Sequence, residues 1–188
     1  MEGCAVALIG ALLLTVVLST ALGGMALVAA IERRTSAAHR TSVQLRLAAE
    51  GAVAVAAGEL AMGDWDAALS GGGSAAWMRP AAAFDAAPFT SAVRAEAMMA
   101  SDHGADTPVW QLFAQAPWPA VSGATGQAHI AVWVADDWTE TDGAPGHDTN
   151  QELLLRAVAA SGLSAAWCEA VLRRELDGRV LIRHKRSW

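Results

Sequence analysis

Gly3–Ile31 reads GCAVALIGALLLTVVLSTALGGMALVAAI, with no charged side chain from end to end. As a helix rising about 1.5 Å per residue it reaches roughly 40 Å, more than the approximately 30 Å hydrocarbon core of a bilayer requires. A cleavable secretory signal is the competing reading. It needs a basic leader and a short apolar region, whereas only Met1 and Glu2 precede Gly3 and the run is far longer. A buried helix of a soluble protein would show one polar face. The segment is read as a retained, single membrane helix. Its small residues, Gly10, Ala11, Ser19, Ala21, Gly23, Gly24 and Ala26, suit close helix–helix packing where no water is present to drive association. Arg33, Arg34 and Arg40 follow the span, and the positive-inside rule alone would place the rest of the chain in the cytoplasm.

Beyond Ile31 the helical pattern continues. IERRTSAAHRTSVQLRLAAEGAVAVAAGELAMGDW, residues 31–65, holds no proline and is rich in strong helix formers. Leu45, Ala48, Ala49, Ala52, Val53, Ala56 and Leu60 recur at three- and four-residue spacing, an amphipathic stripe in need of a partner. One helix from about Ala5 to Met62 would be roughly 85 Å long. After Gly63 the Gly71–Gly73 run, Pro80 and Pro88 mark turn-rich connecting sequence, with Arg94–Met99 a candidate short helix. Strands are expected in TPVWQLFAQAPW from Thr107, HIAVWVAD from His129 and LLLRAVAA from Leu153. AWCEAVLRRE and RVLIRHKRSW flank Asp177-Gly178 as a closing hairpin. The fold class is therefore α+β, a long amino-terminal helix packed on a small antiparallel sheet. Its divisions are residues 1–31 (apolar half-helix), 32–63 (amphipathic half), 64–128 (connecting region with short elements) and 129–188 (sheet).

The whole chain has 188 residues, 54% hydrophobic and 17% charged, with a formal net charge of −6. Such apolar content excludes a disordered polymer, and the lack of a dense basic block argues against nucleic-acid binding. Cys4 and Cys168 form no metal-binding or disulfide pattern.

An apolar helix beginning just after a glycine, continued as an amphipathic stalk and followed by a small sheet, resembles the plan of type IV pilins. It is most similar to PilX-type minor pilins and to pseudopilins of type II secretion. Gly3 and Cys4 resemble the prepilin peptidase junction, with Cys4 as the first mature residue. Glu32, His39, Arg40, Ser42 and the run Ala48, Ala49, Glu50, Gly51, Ala52 with Leu60 resemble the stalk signature of the PilX amino-terminal family. Two departures stand out. Leu8 occupies the fifth mature position, where major pilins usually carry glutamate, and the family's basic leader does not precede Gly3, so the start is read as a late one. The resemblance implies a structural subunit involved in filament assembly or initiation and not an enzyme. It implies a bacterial inner-membrane protein with a periplasmic carboxyl-terminal domain, or an extracellular filament once extracted. Implied partners are the bilayer, other pilin subunits, an assembly platform and its motor ATPase, with no nucleic acid. The alternative is a single-pass membrane protein whose periplasmic domain binds a ligand or partner without polymerising.

The densest polar cluster is Asp136, Asp137, Glu140, Asp142 and Asp148, with Gly143, Gly146 and Asn150 alongside. Several hard oxygen ligands on one loop suit calcium, although the spacing departs from the EF-hand pattern; a solvated acidic loop is the competing reading. No other cofactor is expected. Ser101, Asp102 and His103 lack the surroundings of a hydrolase triad, and His103, His129 and His147 are too far apart for a zinc motif. Eight tryptophans and no tyrosine all follow the apolar segment. Most are expected to fill the core, with Trp138 and Trp188 as candidate exposed anchors, and the basic tail His184-Lys185-Arg186 is expected on the surface.

Overall fold

In the computed structural model the described residues are 2–78, 84–100, 107–118, 128–140 and 142–188. The chain forms helices α1 (Glu2–Met62), α2 (Trp65–Leu69) and α3 (Ala87–Ala100). Strands β1 (Gln111–Pro117), β2 (His129–Asp136), β3 (Glu152–Ser161), β4 (Ser164–Arg174) and β5 (Val180–Ser187) complete the order. It divides into two compact units, Met1–Thr41 and Ser42–Trp188, so the boundary falls within α1 and after the last of the three arginines.

In the first unit residues 10–40 are exposed. Leu12, Leu13, Leu14, Val17, Leu22, Met25 and Leu27 are all more than half accessible, and the helix is long and apolar enough to cross a membrane. Its threonine hydroxyls bond back to the helix: Thr15 and Thr20 donate to the carbonyls of Ala11 and Val16, each at 3.1 Å. That is how a threonine is accommodated in a helix surrounded by lipid.

The second unit is an α+β domain. Its sheet is an antiparallel meander in the order β1-β2-β3-β4-β5. One face, carrying Ile130, Val132, Val134, Leu153, Leu155, Cys168 and Leu172, packs on the striped half of α1 and on α2. All seven stripe residues, Leu45 to Leu60, are at most 2% exposed. The other face, carrying Trp133, Leu154 and Val158, lies under Phe89, Val93 and Ala97 of α3. Helix α3 is longer than the Arg94–Met99 turn expected from composition, because it has a sheet face to cover. Its Thr90 hydroxyl accepts the indole N–H of Trp133 at 2.9 Å, which removes the cost of burying that donor. Strand β1 lies inside the 64–128 segment and pairs with β2, so the sheet starts well before His129.

Turn chemistry closes the meander. Ser161 faces Ser164 across the two-residue loop Gly162-Leu163, with Gly162 at φ +58°, the conformation that a tight hairpin requires at its first central position. Strand β5 is an edge strand bearing Arg183, His184, Lys185 and Arg186, charges that discourage further strand pairing. Pro80 and the Ser101-Asp102-His103 triplet lie outside the described residues.

Candidate functional site

The β2–β3 loop is organised by carboxylates accepting backbone amides. Asp136, the last residue of β2, takes the N–H of Asp137 at 3.0 Å. Asp137 takes the side-chain amide of Asn150 at 2.7 Å and both the amide and the hydroxyl of Thr139. Glu140 Oε1 takes the amides of Thr149 and Asn150 at 2.8 and 2.6 Å. Asp136, Asp137 and Glu140 are 3%, 4% and 6% exposed, and one carboxylate oxygen from each lies within 4.8 Å of the others. Among the described residues, none of the three is ion-paired with a lysine, arginine or histidine. Burial, reinforced by the charge of Glu140, pushes the Asp136 carboxyl up to about 7.

Five acidic residues in this loop were candidates, and the structure brings three together. Asp148 is buried close by, but its Oδ1 is turned to the amides of Gln151 and Glu152 at 2.8 and 3.2 Å; burial pushes it up to about 6. Asp142 is exposed and accepts the amide of Ala144 at 2.8 Å. The loop is tied back to α2 by Asp66, whose two oxygens take His147 Nδ1 at 2.7 Å and the amide of Asp148 at 3.0 Å. The Asp148 amide, followed by His147, holds Asp66 below its ordinary value, and the bond to Asp66 holds His147 above the usual imidazole range. His129 stacks on Phe84 instead, with ring centroids 5.4 Å apart.

A second polar centre was not legible in the sequence. Arg156 of β3, with a side chain 8% exposed, meets Glu96 of α3 at 2.7 Å and Glu169 of β4 at 2.5 Å. Its guanidinium lies 5.3 and 5.8 Å from the rings of Trp110 and Trp188. It borders a cavity of about 210 Å³ that Trp138 and Arg186 also line. Trp138 and Trp188 are 44% and 50% exposed, whereas Trp65, Trp110 and Trp133 are buried. A lone arginine within LLLRAVAA was the one available signal. Its partners lie far away in sequence and are set by sheet register, Arg156 facing Glu169 across β3 and β4.

The stalk-signature residues are docking residues in this fold. Ala48 and Ala49 are buried in the core. Glu50 accepts from Lys185 Nζ at 3.0 Å and Ser187 Oγ at 2.9 Å on β5, bonds that hold its carboxyl below the ordinary value. Gly51 lies against Trp118, whose Cη2 would stand 2.6 Å from an added Cβ. At the end of α1, Arg174 of β4 donates to the carbonyls of Leu60 and Gly63 at 3.1 and 2.8 Å and covers the Trp65 ring at 4.3 Å; the Leu60 carbonyl also takes the Trp65 indole N–H at 2.9 Å, so the two side chains together cap the helix terminus. Cys168 is buried, and burial, followed by Glu50, pushes its thiol up to about 11, a structural cysteine. Of Gly3 and Cys4 the structure describes the helical backbone alone. A Cβ built at Gly10, Gly23 or Gly24 meets nothing within 4 Å.

The class defined by these elements is an α+β domain in a pilin-like arrangement, its first helix continuous with an apolar segment of membrane-spanning length. No family model, no curated protein and no solved structure matches the chain.

Proposed function

We propose that the chain is a structural, minor-pilin-like subunit of a type IV pilus or type II secretion pseudopilus. In this reading it is held in a bacterial inner membrane by the first half of α1, with residues 42–188 on the periplasmic side, and contributes to filament assembly. The supporting observation is the conjunction of two halves of one helix. Residues 45–60 are consumed in packing on the chain's own sheet, while residues 10–31 present apolar side chains all round. A contiguous apolar surface of that extent is not stable in water. Lipid and a bundle of similar helices solvate it equally well, so a subunit of this kind exchanges one for the other. Gly10, Ser19, Gly23 and Gly24 leave room for close lateral approach. With Leu8 at the position of the family's glutamate, no side chain there neutralises a neighbouring amino terminus in an apolar core, which suits a rare or terminal position.

The test is co-expression with a prepilin peptidase, followed by amino-terminal sequencing and by a reporter fused after Trp188. Cys4 as first residue and a reporter active only outside the cytoplasm are expected; an intact Met1 in membrane-inserted chain, or a cytoplasmically active reporter, defeats the proposal. A second reading, a membrane-anchored domain that binds a partner without polymerising, is favoured by the cavity lined in part by the half-exposed Trp138. It predicts the same membrane fraction with no processing.

A further inference from the structure

We propose that Asp136, Asp137 and Glu140, where β2 runs into the β2–β3 loop, hold a calcium ion. Three buried carboxylates within 4.8 Å of one another repel, and without a counter-charge such a group is costly to desolvate. The second observation concerns one atom. Glu140 is 6% exposed; its Oε1 takes two backbone amides, and its Oε2 is buried with no hydrogen-bond donor among the described residues. A buried carboxylate oxygen that the protein leaves unsatisfied is rare in folded proteins and calls for a partner from outside the chain, a water or an ion; beside two further buried carboxylates a cation supplies the missing counter-charge as well.

The donor set selects the ion. All three side chains offer oxygen, and His147 is engaged by Asp66, so softer metals that prefer nitrogen or sulfur have no ligands here. Oxygens around one calcium at about 2.3–2.6 Å stand no more than about 5 Å apart, which the cluster meets. Water completes the coordination. The orienting bonds are already in place: Asn150 and Thr139 hold Asp137, and the amides of Thr149 and Asn150 hold Glu140. An ion at this point ties the end of β2 to the 148–150 turn, and through Asp66 to α2. The proposal is independent of whether the chain enters a filament.

The test uses the full chain in detergent after exhaustive chelation. Calcium at a hundredfold excess over its Kd raises Tm by about 5–10 °C. Terbium added in its place gives emission sensitised by tryptophan excitation, Trp138 being adjacent to Asp137, and calcium displaces it. Glu140→Gln, which retains an acceptor for both amides, lowers calcium affinity at least tenfold, whereas Asp142→Asn on its exposed side chain leaves affinity unchanged. If Glu140→Gln does not fold, Asp136→Asn serves in its place. Calcium and terbium without effect on folded wild type overturn the site; magnesium acting as well as calcium overturns the choice of ion. Glu140→Gln binding like wild type, or Asp142→Asn as impaired as Glu140→Gln, overturns the residue assignment.

Discussion

Leu45, Leu47 and Leu60 share one helix and one side chain but not one environment, and truncating each to alanine measures what the striped half of α1 does. Leu45 and Leu60 are 2% and 1% exposed, Leu47 is 58% exposed, and Leu47 lies about 200° around the helix axis from Leu45. Leu→Ala removes three carbon atoms, about 2.4 kcal/mol of transfer free energy at about 0.8 kcal/mol each. The cavity left at Leu60 cannot fully close, because Arg174 pins the local backbone through the Leu60 carbonyl. A total of about 3 kcal/mol follows for each buried leucine, or a fall in Tm of about 6–12 °C. Leu47→Ala costs under about 0.5 kcal/mol. Tryptophan fluorescence during urea unfolding of the detergent-solubilised chain is a suitable assay, since all eight tryptophans follow residue 64 and report on the domain and not on the apolar half-helix. Equal losses at Leu47 and Leu60, or a loss under about 1 kcal/mol at Leu60, would refute the packing of this helix face on the sheet.

Arg156→Ala leaves Glu169, with a side chain 17% exposed, only the longer ion pair to Arg186 at 3.6 Å; the half-exposed Glu96 is partly rescued by water. A loss of about 3 kcal/mol is expected, and adding Glu169→Gln to it restores part of that stability; urea midpoints that match wild type would contradict a buried ion pair. In chelator, Asp136 and Asp148, raised to about 7 and about 6, give a folded state that holds more protons than the unfolded one. Their contribution is complete below about pH 4 and is lost as pH rises through 6 and 7. His147, raised by Asp66, acts in the same sense at higher pH. Glu50 and Asp66, both lowered, contribute above the ordinary carboxylate range and lose their effect as pH falls. Thermal scans should place maximal stability near pH 5 with a decline towards pH 8, and Asp136→Asn should flatten that decline. A chelated protein most stable at pH 8 would contradict the burial of these carboxylates.

Much of the architecture was legible because it rests on local periodicity. The stripe from Leu45 to Leu60 carries its own evidence of a buried face. The alternation in HIAVWVAD gives β2 with its observed ends, and the Asp177-Gly178 turn, with Gly178 at φ +83°, announces the last hairpin. Helix α3 was only partly legible: an alanine-rich segment with two methionines has weak periodicity, and Phe89, Val93 and Ala97 become a face only against Trp133 and Leu154. The acidic loop was visible as composition, but five carboxylates in a row of loop residues do not say which of them converge.

The sequence by itself determined that the first half of α1 has no polar face and that the second half has a single apolar one, since side-chain type and a 3.6-residue period suffice for both. Only the tertiary structure decided that Arg156 sits between Glu96 and Glu169, that Arg174 reaches the end of α1, and that Glu140 buries an oxygen with no donor among the described residues. Those facts depend on desolvation and on distances between residues far apart in the chain, and both exist only once the sheet has fixed its register against the two helices.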